Sequence, residues 1–327
     1  MAGFAEVVGH EGVIRNLRAA ARGHTLPHAM IFNGAAGLGK KTLADALAQT
    51  LQCEAGETDA CGHCVSCRTF ASGNHPDVHY IAAAKTKSIG VDDVRGQIIH
   101  RMETKPYRYP YKIFIMDAAD TMTPAAQNAL LKVIEEPAPY GVFLFLSQNL
   151  NAFLPTILSR CAVFKLKPLP TGLVKAKLLS AGIDEDKASF YADYAGGNIG
   201  QALAMAGSES FLETRGAAAG MAQDLRRMDL PEVFAQFAVL EKYKDNIQDI
   251  LDLFALWYRD VIVAKQTGGD AWIIQRDQKN AIYAEARSSG LASLYDKFDA
   301  VWQAKRNLKQ NGNFQLTLEM LLLRLAR

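Results

Sequence analysis

The sequence predicts an α/β domain on a mainly parallel sheet, followed by a small helical unit and a larger all-helical one. Three observations carry this. Short apolar runs alternate with helix-patterned stretches through the first ~165 residues. Strand signals fade after Pro168-Leu169-Pro170. Beyond that point apolar residues recur at a period near 3.6. At 327 residues the chain exceeds what one compact core holds, so several domains are expected.

The predicted strands are Ala29 to Asn33, Val78 to Ala82, Lys112 to Met116, Val142 to Ser147 and Ala162 to Leu166. Between the third and fourth a helix is expected over Ala125 to Glu136. Thr123 caps it, Pro124 suits its first position and Pro137 stops it. Thr171 to about Ala206 reads as a small helical unit broken by Gly182 and Gly196-Gly197. After Gly207-Ser208, residues Ile247, Ile250, Leu251, Phe254, Trp257, Tyr258 and Val261 fall on one helical face. Leu316 to Leu325 is apolar on more than one face, which predicts burial among neighbouring helices. The expected domains are 1–168, 169–207 and 208–327.

Composition narrows the class. Apolar residues are 49% and charged residues 21%, enough for a core in each domain. No uncharged apolar stretch approaches the ~20 residues of a membrane span, and no basic-then-apolar leader opens the chain. The 36 Lys and Arg nearly balance 34 Asp and Glu, which argues against a wholly basic nucleic-acid binder. Five cysteines are an odd number, and four of them crowd into one loop. That pattern excludes a secreted disulfide framework and predicts a cytoplasmic protein.

Gly34-Ala-Ala-Gly37-Leu-Gly39-Lys40-Lys41-Thr42 follows the first strand and leads into a helix. Glycines at a strand-to-helix turn let backbone N–H groups wrap phosphates, and Lys40 would reach the β and γ phosphates of ATP or ADP. The next position should offer a hydroxyl to Mg²⁺. It holds Lys41, whose ammonium cannot ligate a cation; Thr42 comes one residue late, turned roughly 100° around the helix. The third strand ends at Asp117, which would hold the metal through water. Ala118 stands where hydrolysing P-loop enzymes carry a water-polarising Glu. Nucleotide binding is left open, and hydrolysis is not expected.

Cys53-x7-Cys61-x2-Cys64-x2-Cys67, in a loop also carrying Gly56, Gly62 and Ser66, supplies four thiolates to one structural Zn²⁺ with no open coordination position. An iron–sulfur cluster would also take four cysteines, but nothing else suggests electron transfer. A redox dithiol is the other alternative. His63, His75 and His79 lie close by and are expected to be bystanders.

Thr123-Pro-Ala-Ala-Gln-Asn-Ala-Leu-Leu-Lys-Val-Ile-Glu-Glu-Pro137, then Phe153-Leu-Pro-Thr-Ile-Leu-Ser-Arg-Cys161, resembles the clamp-loader branch of the AAA+ ATPases. The cysteine loop, Gly196-Gly197-Asn198, Trp257-Tyr-Arg-Asp260 and Asn311-Gly-Asn-Phe314 extend the resemblance over nearly the whole chain. It implies a AAA+ sheet domain, a helical lid and a helical collar that holds a ring together. It also implies that Arg160 acts as an arginine finger on the nucleotide of a neighbouring subunit. The implied partners are gamma/tau and delta clamp-loader subunits, and through them a sliding clamp and primer–template DNA. Cys161 is expected to be a small buried apolar residue. Ser147 and Asn149 resemble the sensor 1 region, and Val7-Val8-Gly9-His10 the adenine-pocket segment. Gly200 stands where the hydrolysing members place a lid arginine. Arg101, Lys105, Arg108 and Lys112 read as a solvated face or as a surface toward DNA.

Two other functions compete with a non-hydrolysing clamp-loader subunit. An ATP-hydrolysing gamma/tau-like motor is opposed by Lys41, Ala118 and Gly200. A AAA+ protein of another pathway is opposed by the cysteine loop, Ser159-Arg160-Cys161 and the helical tail.

Overall fold

Runs of aliphatic and aromatic residues bounded by Gly, Pro and Asp make the strands of a five-stranded sheet. They are β1 (Ala29–Asn33), β2 (Val78–Ile81), β3 (Lys112–Met116), β4 (Gly141–Ser147) and β5 (Ala162–Lys165). The structure is a computed structural model that describes residues 3–23, 25–55, 58–84 and 88–327. Strand order is β2-β3-β4-β1-β5, and every neighbouring pair is parallel. The expected α/β class with a parallel sheet is observed, with strand ends shifted by one residue at most.

Parallel sheets need cover on both faces, and the side-chain period of two provides it. From β1, Met30 and Phe32 join one core with Leu43 and Leu47 of the helix after the phosphate loop. Ala29 and Ile31 join the opposite core with Leu130 and Ile134. In β4, Val142 and Leu144 face the first core while Phe143 and Phe145 face the second. The first core is covered by α1 (Glu11–Arg22) and α2 (Lys40–Gln52). The second is covered by the Pro124–Glu135 helix, whose cap Thr123 accepts the Ala126 N–H at 3.2 Å.

A buried carboxylate anchors the chain beside β2. Asp77, 1% exposed, accepts the backbone N–H groups of Tyr107, Arg108 and Tyr109 at 2.6, 3.1 and 3.2 Å. Asp77→Ala strands these donors, and a loss of about 2–4 kcal/mol is expected. The urea midpoint of the variant checks it; an unchanged midpoint would show that water replaces the carboxylate.

Backbone packing divides the chain into two units. One comprises the described residues up to Lys177 together with Ala195–Ala202; the other comprises Leu178–Tyr194 and Leu203–Arg327. Residues 169–207 are thus shared between the two. The second unit is helical and centred on the Ile247–Thr267 helix, where all seven residues of the expected face are buried. Trp257 Nε1 donates to Glu285 Oε2 at 2.7 Å, and fully buried Asp260 accepts the Ile274 and Gln275 N–H groups. The Phe314–Ala326 helix departs from expectation: Leu318, Leu321, Leu322 and Leu325 are buried, but Leu316 and Met320 stand in solvent. No helix among the described residues is long and apolar enough to cross a membrane.

Candidate functional site

The phosphate loop leaves β1 at Gly34, whose N–H donates to Ser147 O at 3.1 Å, and enters α2 through Gly39 in a left-handed conformation. Lys40, 9% exposed, folds back so that Nζ donates to Gly34 O and Ala35 O at 2.6 and 2.7 Å. Burial lowers its pKa, and Asp117 and Asp120 oppose the shift. Lys41 points away, toward β2, with Nζ 5.5 Å from the Tyr80 ring centre. Tyr80 in turn donates its hydroxyl to Asp45 Oδ1 at 2.8 Å. Thr42 is exposed on the helix surface.

Across from the loop, Asp117 Oδ1 accepts the Ala118 N–H at 2.9 Å, and Ala118 itself is left-handed with φ 49°. Asp120, which the sequence reading did not single out, has a defined task. Its Oδ2 accepts the N–H groups of Gln148 and Asn149, both at 3.2 Å, and so ties the end of β3 to the end of β4. Ser147 Oγ accepts the Asn149 N–H at 3.1 Å, and Asn149 Oδ1 caps the following turn at Asn151. Both side-chain oxygens thereby accept from the backbone of the strand end.

Asn198 and Gly200 lie directly on the phosphate loop. Asn198 Nδ2 donates to Ala36 O at 2.7 Å, and the Gly200 N–H donates to Gly37 O at 2.8 Å. A Cβ at position 200 would lie 2.6 Å from Gly37 Cα, so only glycine permits this backbone contact. The carbonyls of Gly34, Ala35, Ala36 and Gly37 are therefore all engaged within the chain. His10 Nε2 lies 3.0 Å from Leu38 O and braces the loop from the N-terminal segment.

Arg160 follows a short helix, Pro155–Leu158, at the start of β5. Its approach is held rigidly. Gln127, 1% exposed, donates through Nε2 to Ala152 O at 2.9 Å and accepts the Leu154 N–H at 2.7 Å. The half-exposed Arg160 guanidinium reaches Thr156 O, Ser159 Oγ and Glu135 Oε1 at 3.0, 3.1 and 2.9 Å. Burial pushes the neighbouring Cys161 thiol up to about 12, so it carries no thiolate at neutral pH.

The four remaining cysteines converge. Sγ atoms of Cys53, Cys61, Cys64 and Cys67 lie within 4.8 Å of one another, and those of Cys53 and Cys64 are 4.0 Å apart. A tetrahedral ion with metal–sulfur bonds of roughly 2.3 Å needs sulfurs about 3.8 Å apart, so the donor set fits. The N–H groups of Cys61, Cys64 and Cys67 point at the sulfurs of Cys53, Cys61 and Cys64 from 3.3–3.4 Å, which favours thiolates. N–H groups from His63 and Cys64 bring the Cys61 thiol down to about 6. Gly56, within this loop, lies outside the described residues. Among the described residues no histidine joins the cluster. His63 bonds Cys61 O, His75 bonds Ser66 Oγ at 3.1 Å, and His79 accepts from Arg101 at 2.6 Å.

Of the suggested basic surface, Arg101, Lys105 and Arg108 are exposed, as a solvated face requires, and Lys112 alone is internal. Lys112 is buried, donating to Arg101 O and Thr104 O, while Arg108 pairs with Glu54 at 3.2 Å.

Comparison with known proteins identifies relatives along the chain. The family model described as DNA polymerase III, delta subunit matches residues 9–170, and its C-terminal counterpart matches residues 223–327. DNA polymerase III subunit delta' of Bacillus subtilis is 29% identical over 92% of this chain and 91% of its own length. Subunit delta' of Haemophilus influenzae is 38% identical over 42% of each chain. Subunit gamma/tau of Mycoplasma pneumoniae is 32% identical over 56% of this chain but only 26% of its own length. DNA polymerase III subunit tau of Bacillus subtilis is 25% identical over 99% of this chain and 61% of its own length. The chain belongs to the clamp-loader subunits of DNA polymerase III.

Proposed function

We propose that this chain is the non-hydrolysing subunit of a clamp loader. With gamma/tau and delta subunits it helps open a sliding clamp and load it onto primer–template DNA, and it lends Arg160 to a neighbour's ATP site. Residues 1–168 form the AAA+ domain, 169–207 act as its lid and 208–327 as the ring-holding collar. The assembly works in the cytoplasm.

The phosphate loop carries this reading. Lys41 and Ala118 remove a metal-ligand hydroxyl and a water-polarising carboxylate, while Lys40, Asn198 and Gly200 occupy the loop's own carbonyls. A site so altered neither grips a metal nor prepares a water, yet a guanidinium delivered in trans needs only its own domain edge. In the cysteine loop, Cys53, Cys61, Cys64 and Cys67 would hold Zn²⁺. The ion supplies a closed structural centre with no position for catalysis.

The gamma/tau relatives support a second reading, a hydrolysing motor, because they match at 32% and 36% identity over more than half of the chain, and one tau relative matches over 99% of it. ATP turnover by the purified chain separates the two. No steady turnover is expected. Turnover that disappears in Lys40→Ala would establish the motor instead.

A further inference from the structure

We propose that Glu135 is the positioning residue that aims the Arg160 guanidinium at the neighbouring subunit's nucleotide, an inference that rests on Arg160 acting there. Glu135 is the last residue of the Pro124–Glu135 helix, and Glu136 follows it. Two adjacent carboxylates at the negative pole of a helix are electrostatically unfavourable unless a cation meets them. Arg160 is that cation, with Nη2 2.9 Å from Glu135 Oε1.

The pair adds little to stability, since both side chains are about two-fifths exposed. What it fixes is geometry. Nη1 is spent on Thr156 O and Ser159 Oγ, and Nη2 forms the ion pair with Glu135. Among the described residues Nε–H meets no acceptor, and Nη2 meets only the Glu135 carboxylate. Nε–H is left for a phosphate oxygen.

Both ends of the arrangement are anchored to the same helix. Near its N-terminus, Gln127 grips the Ala152–Leu154 backbone that leads to Arg160. Near its C-terminus, His28 Nε2 lies 2.8 Å from Ile134 O, next to Glu135. The carboxylate therefore has a fixed place from which to hold a long, flexible side chain in one rotamer. A finger ordered in advance loses less entropy when charge develops on the transferred phosphoryl group.

The test is a cycle in the assembled loader, reading DNA- and clamp-stimulated ATPase. Glu135→Ala is expected to lower kcat roughly tenfold with KM for ATP unchanged, the pattern of a lost transition-state interaction. Glu135→Gln keeps an acceptor and should recover most of the rate. In an Arg160→Ala background, Glu135→Ala should change nothing further, because Glu135 acts only through Arg160. A wild-type kcat in Glu135→Ala, or an additional loss on top of Arg160→Ala, would overturn the proposal. So would failure of the Glu135→Ala chain to co-purify with its partners, which would make Glu135 an interface residue. A wild-type rate in Arg160→Ala alone would instead remove the finger itself.

Discussion

Arg160→Ala is expected to cut ATP hydrolysis by the assembled loader about 10³-fold, although no hydrolysis is expected at this chain's own phosphate loop. As ATP is cleaved, charge grows on the γ phosphate and on the leaving oxygens. A cation already in place stabilises that charge without reorganising at the moment of reaction. Arg160 suits the task because it sits at a strand start, half exposed, on an approach stiffened by Gln127. Arg160→Lys should rescue little: an ammonium is a point charge, whereas the guanidinium offers paired donors in a plane. Co-purification of the subunits should survive both changes, since Arg160 contributes one exposed side chain. Steady-state ATPase together with co-purification checks this. A wild-type rate with intact assembly would dismiss the finger.

Cys64→Ser is expected to have the largest effect on folding. Four thiolates around one ion bind it with an apparent strength of roughly 10–16 kcal/mol in small zinc modules, and much of that is folding energy. Cys64 also holds a structural place, since its sulfur accepts the Cys67 N–H at the start of α3 (Val65–Ala71). Losing it unties a loop that otherwise links several elements. Cys53 ends α2, Asp59 pairs with Arg18 and accepts the Phe4 N–H, and Ser66 bonds His75. The wild-type chain should contain about one zinc. The variant should contain none and should melt at least about 10 °C lower, at roughly 2–4 °C per kcal/mol. Iron with visible absorbance in the wild type, or an unchanged melt in a metal-free variant, would contradict the assignment.

Much of this was legible in the residues because the signals are local. Short apolar runs and flanking turns marked all five strands. The cap at Thr123 and the stop at Pro137 marked the helix that carries Glu135. Spacing alone assembled the phosphate loop and the cysteine cluster. The rest depends on contacts between residues far apart in sequence. Nothing near Asp77 announces that it accepts three N–H groups some thirty residues away. Asn198 reads as an ordinary turn residue until the chain returns it to Ala36. Lys112 belongs to a run of charges on paper but lies inside, where carbonyls at the end of a helix need a donor. Leu316 and Met320 fit an apolar pattern yet stand in solvent, because a pattern records hydrophobicity and not which neighbours exist.

The most direct test of the division of labour is one assay on two assembled loaders, with Lys40→Ala or Arg160→Ala in this chain only. The reading proposed above requires the first to hydrolyse ATP at close to the wild-type rate and the second to fall by orders of magnitude. A Lys40→Ala complex that loses its activity while Arg160→Ala keeps it would show that this chain runs its own site and lends nothing to its neighbour.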